Sequence, residues 1–342
     1  MAGVTPIGLD IGSSAIRAVE VRRGKDEYAL TNFGQVPLPP GTVSAGVVRD
    51  SAAVISALKQ LWAACRFDTK HVSLGVTNPQ LVVREMSVAN LPANEMRHAL
   101  PFQVKDALPL AVERSVLDFY PLEQPGAHPT VRGLLIAVPK EAVMNAVDAA
   151  EKAGLHVDSV DLSSFALLRA ASRLDAQVEA IVDIGAEVTS VVVHADGEPL
   201  IVRTIPRGGK EITETIGTRL GLQPADAEAL KCRFGLHGDG NPATADAARD
   251  AVRPLANELR SSFTYLASSE RHQQVTRVAL CGGTALLPGL AEHLQEQLGI
   301  GVMYADSASR LRDTRKGRER GFDSFVPSAA VSIGLTLGAA AR

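Results

Sequence analysis

The stretch Ile7-Gly8-Leu9-Asp10-Ile11-Gly12-Ser13-Ser14 is an apolar run that ends in Asp-Ile-Gly and passes into small, polar residues. A second stretch, Ile181-Val182-Asp183-Ile184-Gly185-Ala186-Glu187-Val188-Thr189, repeats it. Each reads as a β-hairpin whose turn carries an acid and a glycine. The turn offers free backbone N–H groups that can hold phosphate, and the aspartate can hold a hydrated cation. A single block also reads as an ordinary polar turn. Two blocks in equivalent settings point to two similar lobes facing one nucleotide.

Around the first block, residues 4–11, 14–22 and 27–36 pattern as a three-stranded meander, with Arg22-Arg23-Gly24-Lys25-Asp26 as a turn. Pro37, Pro39, Pro40 and Gly41 break that pattern. Residues 51–65 place Val54, Ile55, Leu58, Leu61 and Trp62 on one helical face behind an Asp50 or Ser51 cap, and residues 71–76 read as a strand. Residues 81–157 read as a unit of their own in the order βαββαβ, a split βαβ arrangement. Leu100-Pro101 falls inside its first helix, where proline costs about 3 kcal/mol and predicts a kink or a later start. Residues 124–130 are a surface loop. A helix over 163–174 precedes the second hairpin, and a strand follows over 200–205. Helices are expected over 211–220, 225–234 and 246–269, the last despite Pro254. A strand over 275–280, a helix over 290–298 and a short strand over 302–305 follow. The charged run 310–320 reads as a solvent-exposed loop, and 327–341 as a closing helix of small residues.

The chain has 342 residues, enough for about two domains with substantial cores. Apolar residues make up 46% and charged residues 21%, as in a soluble globular protein. A net charge of −3 argues against nucleic acid as a partner. Cys65, Cys232 and Cys281 are odd in number and lack CxxC spacing, so the cysteines form neither a disulfide framework nor a zinc site. They read as small buried apolar residues in a reducing compartment. No signal peptide is visible and no apolar run reaches the roughly 18–20 residues of a membrane span, so a cytosolic location is expected.

Two further segments carry paired glycines. Cys281-Gly282-Gly283-Thr284-Ala285 follows a strand, and Arg207-Gly208-Gly209-Lys210 precedes a helix. Paired glycines let backbone approach a flat or charged ligand closely, although each segment also reads as a turn. Arg17 follows Asp10 on the returning strand and can reach a phosphate. Neither a P-loop nor a Gly-x-Gly-x-x-Gly fingerprint occurs.

Asp10–Ser14, Asp183–Thr189 and Cys281–Ala285 resemble the phosphate 1, phosphate 2 and adenosine motifs of the actin, sugar kinase and Hsp70 superfamily. Residues 159–171 and 327–341 sit where that superfamily has two connecting helices, between which its lobes hinge. Within it, the chain most resembles the PilM family of type IV pilus assembly, and next the FtsA family of cell division. The PilM resemblance covers nearly the whole chain. It includes Arg84-Glu85, Val116-Leu117-Asp118-Phe119, Ala153-Gly154-Leu155 and the run from Asp161 to Ala170.

The resemblance implies an α/β, actin-like two-lobed ATPase fold. Duplicated mixed five-stranded sheets would carry helices, plus a small inserted α+β subdomain. The first lobe core would be 1–80 with 158–178 and 325–342. Residues 81–157 would be the insert, 179–210 with 275–324 the second lobe core, and 211–274 a helical subdomain. ATP and Mg2+ would be the cofactors. Asp10 and Asp183 would face the magnesium, largely through water. Gly12, Ser13 and Ser14 would wrap the β- and γ-phosphates from one side, and Gly185, Ala186, Glu187 and Thr189 from the other. Arg17 takes the position of a phosphate-contacting lysine. Gly208 and Gly209 would border the nucleotide, and Gly282, Gly283 and Thr284 would pass under the base. Glu228 and Lys231 would flank ribose and adenine, with a solvated helix pair as the alternative reading.

Two departures from the family stand out. Ser163 occupies a connecting-helix position where relatives often have an acid. If that acid orients the attacking water, its loss slows phosphoryl transfer, and Glu187 and Asp161 are candidate substitutes. His98–Gln103 also departs from the usual helix of the insert. The function implied is an ATP-binding cytoplasmic assembly platform of the type IV pilus inner-membrane complex, with hydrolysis weak or absent. It would be peripheral to the membrane and would recruit the short N-terminal peptide of a PilN-like bitopic membrane protein. Other pilus assembly proteins and further copies of the chain are additional partners. An FtsA-like scaffold is the alternative, although such proteins end in an amphipathic membrane helix that this sequence does not show. A small-molecule kinase on the same fold is a third, for which no catalytic base stands out.

Overall fold

The structure is a computed structural model that describes residues 5–24, 28–123, 128–238, 240–269, 272–312, 317 and 320–341. Lys25-Asp26 of the expected first turn, part of the loop 124–130, and 313–316 with 318–319 of the charged run lie outside them.

Strands β1 (Ile7–Ile11), β2 (Ala15–Arg23) and β3 (Tyr28–Pro37) make the antiparallel meander. A ribbon of β4 (Val43–Ser44) and β5 (Val47–Val48) follows, then helix α1 (Ser51–Cys65). Asp50 caps α1 through its carboxylate on the Ala53 N–H, and Arg66 ends it in the left-handed region at φ 54°. Strand β6 (His71–Val76) returns parallel to β1. Both faces of β1 are buried: α1 lies on one, and the C-terminal helix lies so close on the other that a Cβ at Gly8 would meet the Ser332 carbonyl at 1.9 Å.

A small sheet follows in the order β7-β9-β8, from β7 (Val82–Ala89), β8 (Ser115–Pro121) and β9 (Thr130–Pro139). Helix α2 (Ala93–Val104) covers it, with Leu100 and Val104 packed on Val88, Val131 and Leu135. Pro101 does not delay this helix. It sits in the last turn, and the helix passes into a short 3-10 segment at Lys105–Ala107.

The expected βαββαβ unit needs one correction. Its last strand, β10 (His156–Leu162), does not join the small sheet but pairs parallel with β6. A parallel neighbour requires a crossover. Helix α3 (Lys140–Lys152) supplies it, burying Ala146, Ala149 and Ala150 in the same core as α1. The first large sheet also has a sixth strand, β16 (Leu311–Arg312), parallel to β3. That segment had been expected in a solvent-exposed loop. Leu311 is buried with Phe33 and Phe322, and Arg320 lies over the Phe33 ring, so these two residues of the run are held on the sheet.

Helix α4 (Ser163–Ala171) leads into the second large sheet, ordered β13-β12-β11-β14-β15. Its strands are β11 (Val178–Ile184), β12 (Thr189–Ala195), β13 (Glu198–Ile205), β14 (Arg277–Cys281) and β15 (Gly301–Tyr304). Helices α5 (Gly209–Leu220), α6 (Pro224–Phe234), α7 (Pro242–Ser268) and α8 (Leu290–Leu298) surround its core. Short α9 (Phe322–Phe325) precedes α10 (Ala330–Ala341). Helices α4 and α10 pack between the sheets: Ala166 and Leu167 of α4, Val331 and Leu335 of α10, and Ile181 and Ala279 of the second sheet share one cluster. No single helix among the described residues is long and apolar enough to cross a membrane.

Candidate functional site

The two hairpins close in the same way. Gly12 N–H donates to the Ala15 carbonyl at 3.1 Å, and Gly185 N–H donates to the Val188 carbonyl at 3.0 Å. Asp10 is paired across its hairpin with Arg17, and Asp183 with Ser190. The turns are therefore superimposable in register, with Ser190 standing where the first hairpin has Arg17. In both, the N–H groups of the two residues after the glycine donate to no protein acceptor among the described residues.

Both aspartates lie at the C-terminal ends of central strands and reach one another electrostatically. The Asp183 carboxyl is pushed up to about 7, by burial first and then by the charge of Asp10, against the pull of Arg17. Asp10 is also raised by burial, with Arg17 opposing. The Arg17 guanidinium is 4.0 Å from the Asp10 carboxylate, and its Nε is buried with no hydrogen-bond partner. A charged group left so poorly paired is costly. Two half-desolvated carboxylates beside an under-satisfied guanidinium can take a hydrated divalent cation and an anion together. On these grounds the residues present fit a magnesium–phosphate ligand.

The second lobe's glycine segments gather at the same place. Gly209 and Lys210 donate N–H bonds to the carbonyls of Gly185 and Ala186 at 3.0 and 2.8 Å. A Cβ on Gly208 would sit 2.5 Å from the Gly185 oxygen, which is why no side chain fits there. Thr284 donates its hydroxyl to the Gly185 carbonyl at 2.8 Å. Gly282 has φ +92°, and a Cβ there would meet Asp183 Oδ1 at 2.4 Å, whereas Gly283 faces open space. Cys281, paired with Asp183, has its thiol raised by burial and by that aspartate. Thr189 is buried, and its hydroxyl donates to the Arg207 carbonyl. Cys281 alone matches the expectation of buried cysteines: Cys65 is half-buried and Cys232 exposed.

Lys231 is buried and donates to Glu228 at 2.6 Å, to the Thr213 hydroxyl and to the Gly209 carbonyl. Burial pushes the Glu228 carboxyl up, but the bonds from Lys231 and Thr213 outweigh it and hold it below the usual range. Lys231 thus supports the glycine turn, while Glu228, its i,i+3 partner on the helix, stays half exposed.

Glu187 is engaged elsewhere. Its carboxylate accepts from Ser44 Oγ and Ala45 N at 3.0 Å each and from Lys210 Nζ at 2.9 Å. Burial raises it, yet these bonds outweigh burial and hold it low. This clasp joins the β4–β5 ribbon of the first lobe to the second, and Thr77 Oγ1 adds contacts to Ser190 and Thr204 at 3.5 Å. Asp161 pairs with Arg169 at 2.5 Å. Reading the sequence alone misses Ser44, Ala45 and Thr77, because nothing local marks two residues from opposite lobes as neighbours.

The sequence profile of the type IV pilus assembly protein PilM matches residues 8–340. The chain belongs to the PilM family. Among solved structures, the PilM–PilN type IV pilus biogenesis complex is 30% identical, with a TM-score of 0.86 over 98% of this chain and 99% of that one. The cell division protein FtsA of Streptococcus pneumoniae serotype 2 is 24% identical over 90% of this chain and 76% of its own length. MreB5 of Spiroplasma citri bound to ADP shares the fold at 13% identity, with a TM-score of 0.53 over 94% of this chain and 97% of that one. As a PilM-family member the chain has the actin-like α/β fold that the resemblance implied.

Proposed function

We propose that this chain is a nucleotide-responsive platform of type IV pilus assembly, binding ATP with magnesium between its lobes. The observation that carries the reading is the pair of register-matched turns whose aspartates share one cleft with an under-satisfied Arg17. Asp10 and Asp183 hold the hydrated metal. Gly12, Ser13, Ser14 and Arg17 take the phosphates from one lobe, and Gly185 through Thr189 from the other, chiefly by backbone. Gly208, Gly209, Gly282, Gly283 and Thr284 line the nucleoside side, with Glu228 and Lys231 behind. Bound ATP supplies the charge that draws the lobes together. Hydrolysis is weak or absent, since Glu187 and Asp161 are both held by partners and Ser163 offers no carboxylate. The divisions 1–80 with 158–178 and 325–342, 81–157, 179–210 with 275–324, and 211–274 are the working domain scheme, with α3, β10, β16 and α9 moved to the first lobe, whose core and sheet they join.

The partner is the cytoplasmic N-terminal peptide of a PilN-type membrane protein, which keeps the chain at the inner face of the membrane. The match to a PilM–PilN complex supports this. So does the corner where β8 approaches α4: Tyr120 and Phe165 have ring centroids 5.7 Å apart, and Val116, Tyr120 and Val160 are exposed on β8 and β10. An edge strand with apolar side chains suits an extended peptide. Calorimetry with ATP and magnesium tests the site: Asp10→Ala and Asp183→Ala are expected to abolish binding, and unchanged affinity in both overturns it. Pull-down with the peptide tests the partner, and no binding with or without ATP overturns it.

A further inference from the structure

At the opposite end of the first sheet from the nucleotide cleft, three side chains converge that the function above does not use. Strands β6 and β10 begin side by side, with His71 directly paired with His156. Directly paired residues in parallel strands project to the same face, and so does the residue two positions on. On β10 that residue is Asp158. The register between the strands slips between Val157 and Ser159, leaving Asp158 as an extra residue with no partner on β6. Such a bulge re-aims the side chain it carries.

Here one Asp158 oxygen lies 2.7 Å from His71 Nδ1 and 3.6 Å from His156 Nε2. The three potential ligand atoms all fall within 4.8 Å of one another. The imidazoles meet edge to face with centroids 4.9 Å apart, not stacked. Both backbones are tied down: His71 N–H donates to the Thr69 hydroxyl at 3.1 Å, and His156 N–H to the Lys70 carbonyl at 2.8 Å. With metal–ligand bonds of about 2.1 Å, tetrahedral ligands stand about 3.4 Å apart, a spacing that the 2.7 and 3.6 Å separations bracket.

We propose that His71, His156 and Asp158 form a site for a borderline divalent transition metal, with Zn2+ as its occupant. Two imidazoles and one carboxylate suit such an ion and not magnesium or calcium, which take oxygen ligands. Three protein ligands leave a fourth position open to water or to a side chain of a docking partner. The ion would fasten the outer strand β10 to β6 and stabilise that edge.

Zinc titration of tag-free protein in excess magnesium, read by calorimetry and by thermal unfolding, tests the proposal. The expected result is one zinc per chain and a raised melting temperature. Zinc at 100 times its dissociation constant shifts the unfolding equilibrium about 100-fold. His71→Ala, His156→Ala and Asp158→Asn should each weaken binding at least tenfold, while Asp10→Ala leaves it unchanged. All three ligand residues are exposed, so the variants should keep the fold, and circular dichroism verifies that they do. Absence of stoichiometric zinc binding in the parent protein overturns the site, as does equal affinity in the three variants. In either case the cluster is a hydrogen-bonded pair with a neighbouring imidazole.

Discussion

Asp183 carries the most perturbed carboxyl of the cleft, and its raised value has a definite sign. A carboxyl held near 7 in the folded chain and near 3.8 in the unfolded one is bound to its proton more tightly when folded. The stability this contributes is complete below about pH 3.8 and is lost as pH rises through about 7. Metal-free protein should therefore lose stability relative to Asp183→Asn between pH 5 and pH 8, as measured by urea unfolding of both. The same ionisation should make magnesium–ATP affinity climb from pH 6 to pH 8, which calorimetry at stepped pH would register. Arg17 is the other lever at this scale. Its guanidinium has a long contact to Asp10, so Arg17→Met removes little native bonding but the whole of the phosphate contact proposed for it. A hydrogen bond to a charged group is worth about 1.5–3 kcal/mol, so ATP should bind about 10- to 100-fold more weakly with the melting temperature nearly unchanged.

The turns, strands and helices form the next scale. Gly208→Ala places a methyl 2.5 and 2.6 Å from the carbonyl oxygens of Gly185 and Ala186. Both obstacles are backbone, so the phosphate turn itself must move, at a cost of about 1–3 kcal/mol. Denaturant titration should show that loss, and calorimetry a matching loss of ATP binding. The two hairpins are legible in the sequence because acid, glycine and alternating apolar residues all lie within one short window. Asp10, Arg17 and Asp183 follow directly from them. Contacts between distant segments are not legible in this way. The clasp of Glu187 onto Ser44 depends on how the lobes approach, and β16 is two residues long, too short for any periodicity to register. The placement of β10 likewise depended on which strand it would pair with. Its exposed–buried alternation suits the edge of either sheet.

The whole molecule is two lobes joined by an apolar cluster under α4 and α10 and, nearer the aspartates, by a few polar contacts. Glu187 makes three of them or their supports, joining Ser44, Ala45 and Lys210. Glu187→Ala should leave the lobe cores intact and the melting temperature within a few degrees, since the bonds lie outside both cores. Hydrogen exchange is the informative measurement: amides around residues 42–48 should exchange faster in the variant. Besides the Glu187 bonds and the Thr77 contacts, α4 and α10 tie the lobes, and α10 is seated unusually closely on its neighbours. A methyl on Gly334 would lie 1.8 Å from the Ala166 carbonyl, and one on Gly8 lies as close to Ser332. At those two points backbone rests on backbone, flanked by the Arg169 side chain at Gly334 and Gly338. Seats this close have no slack: a single added carbon at either one would lever α10 off its neighbour, and with it the Arg169 bond to the Gly334 carbonyl.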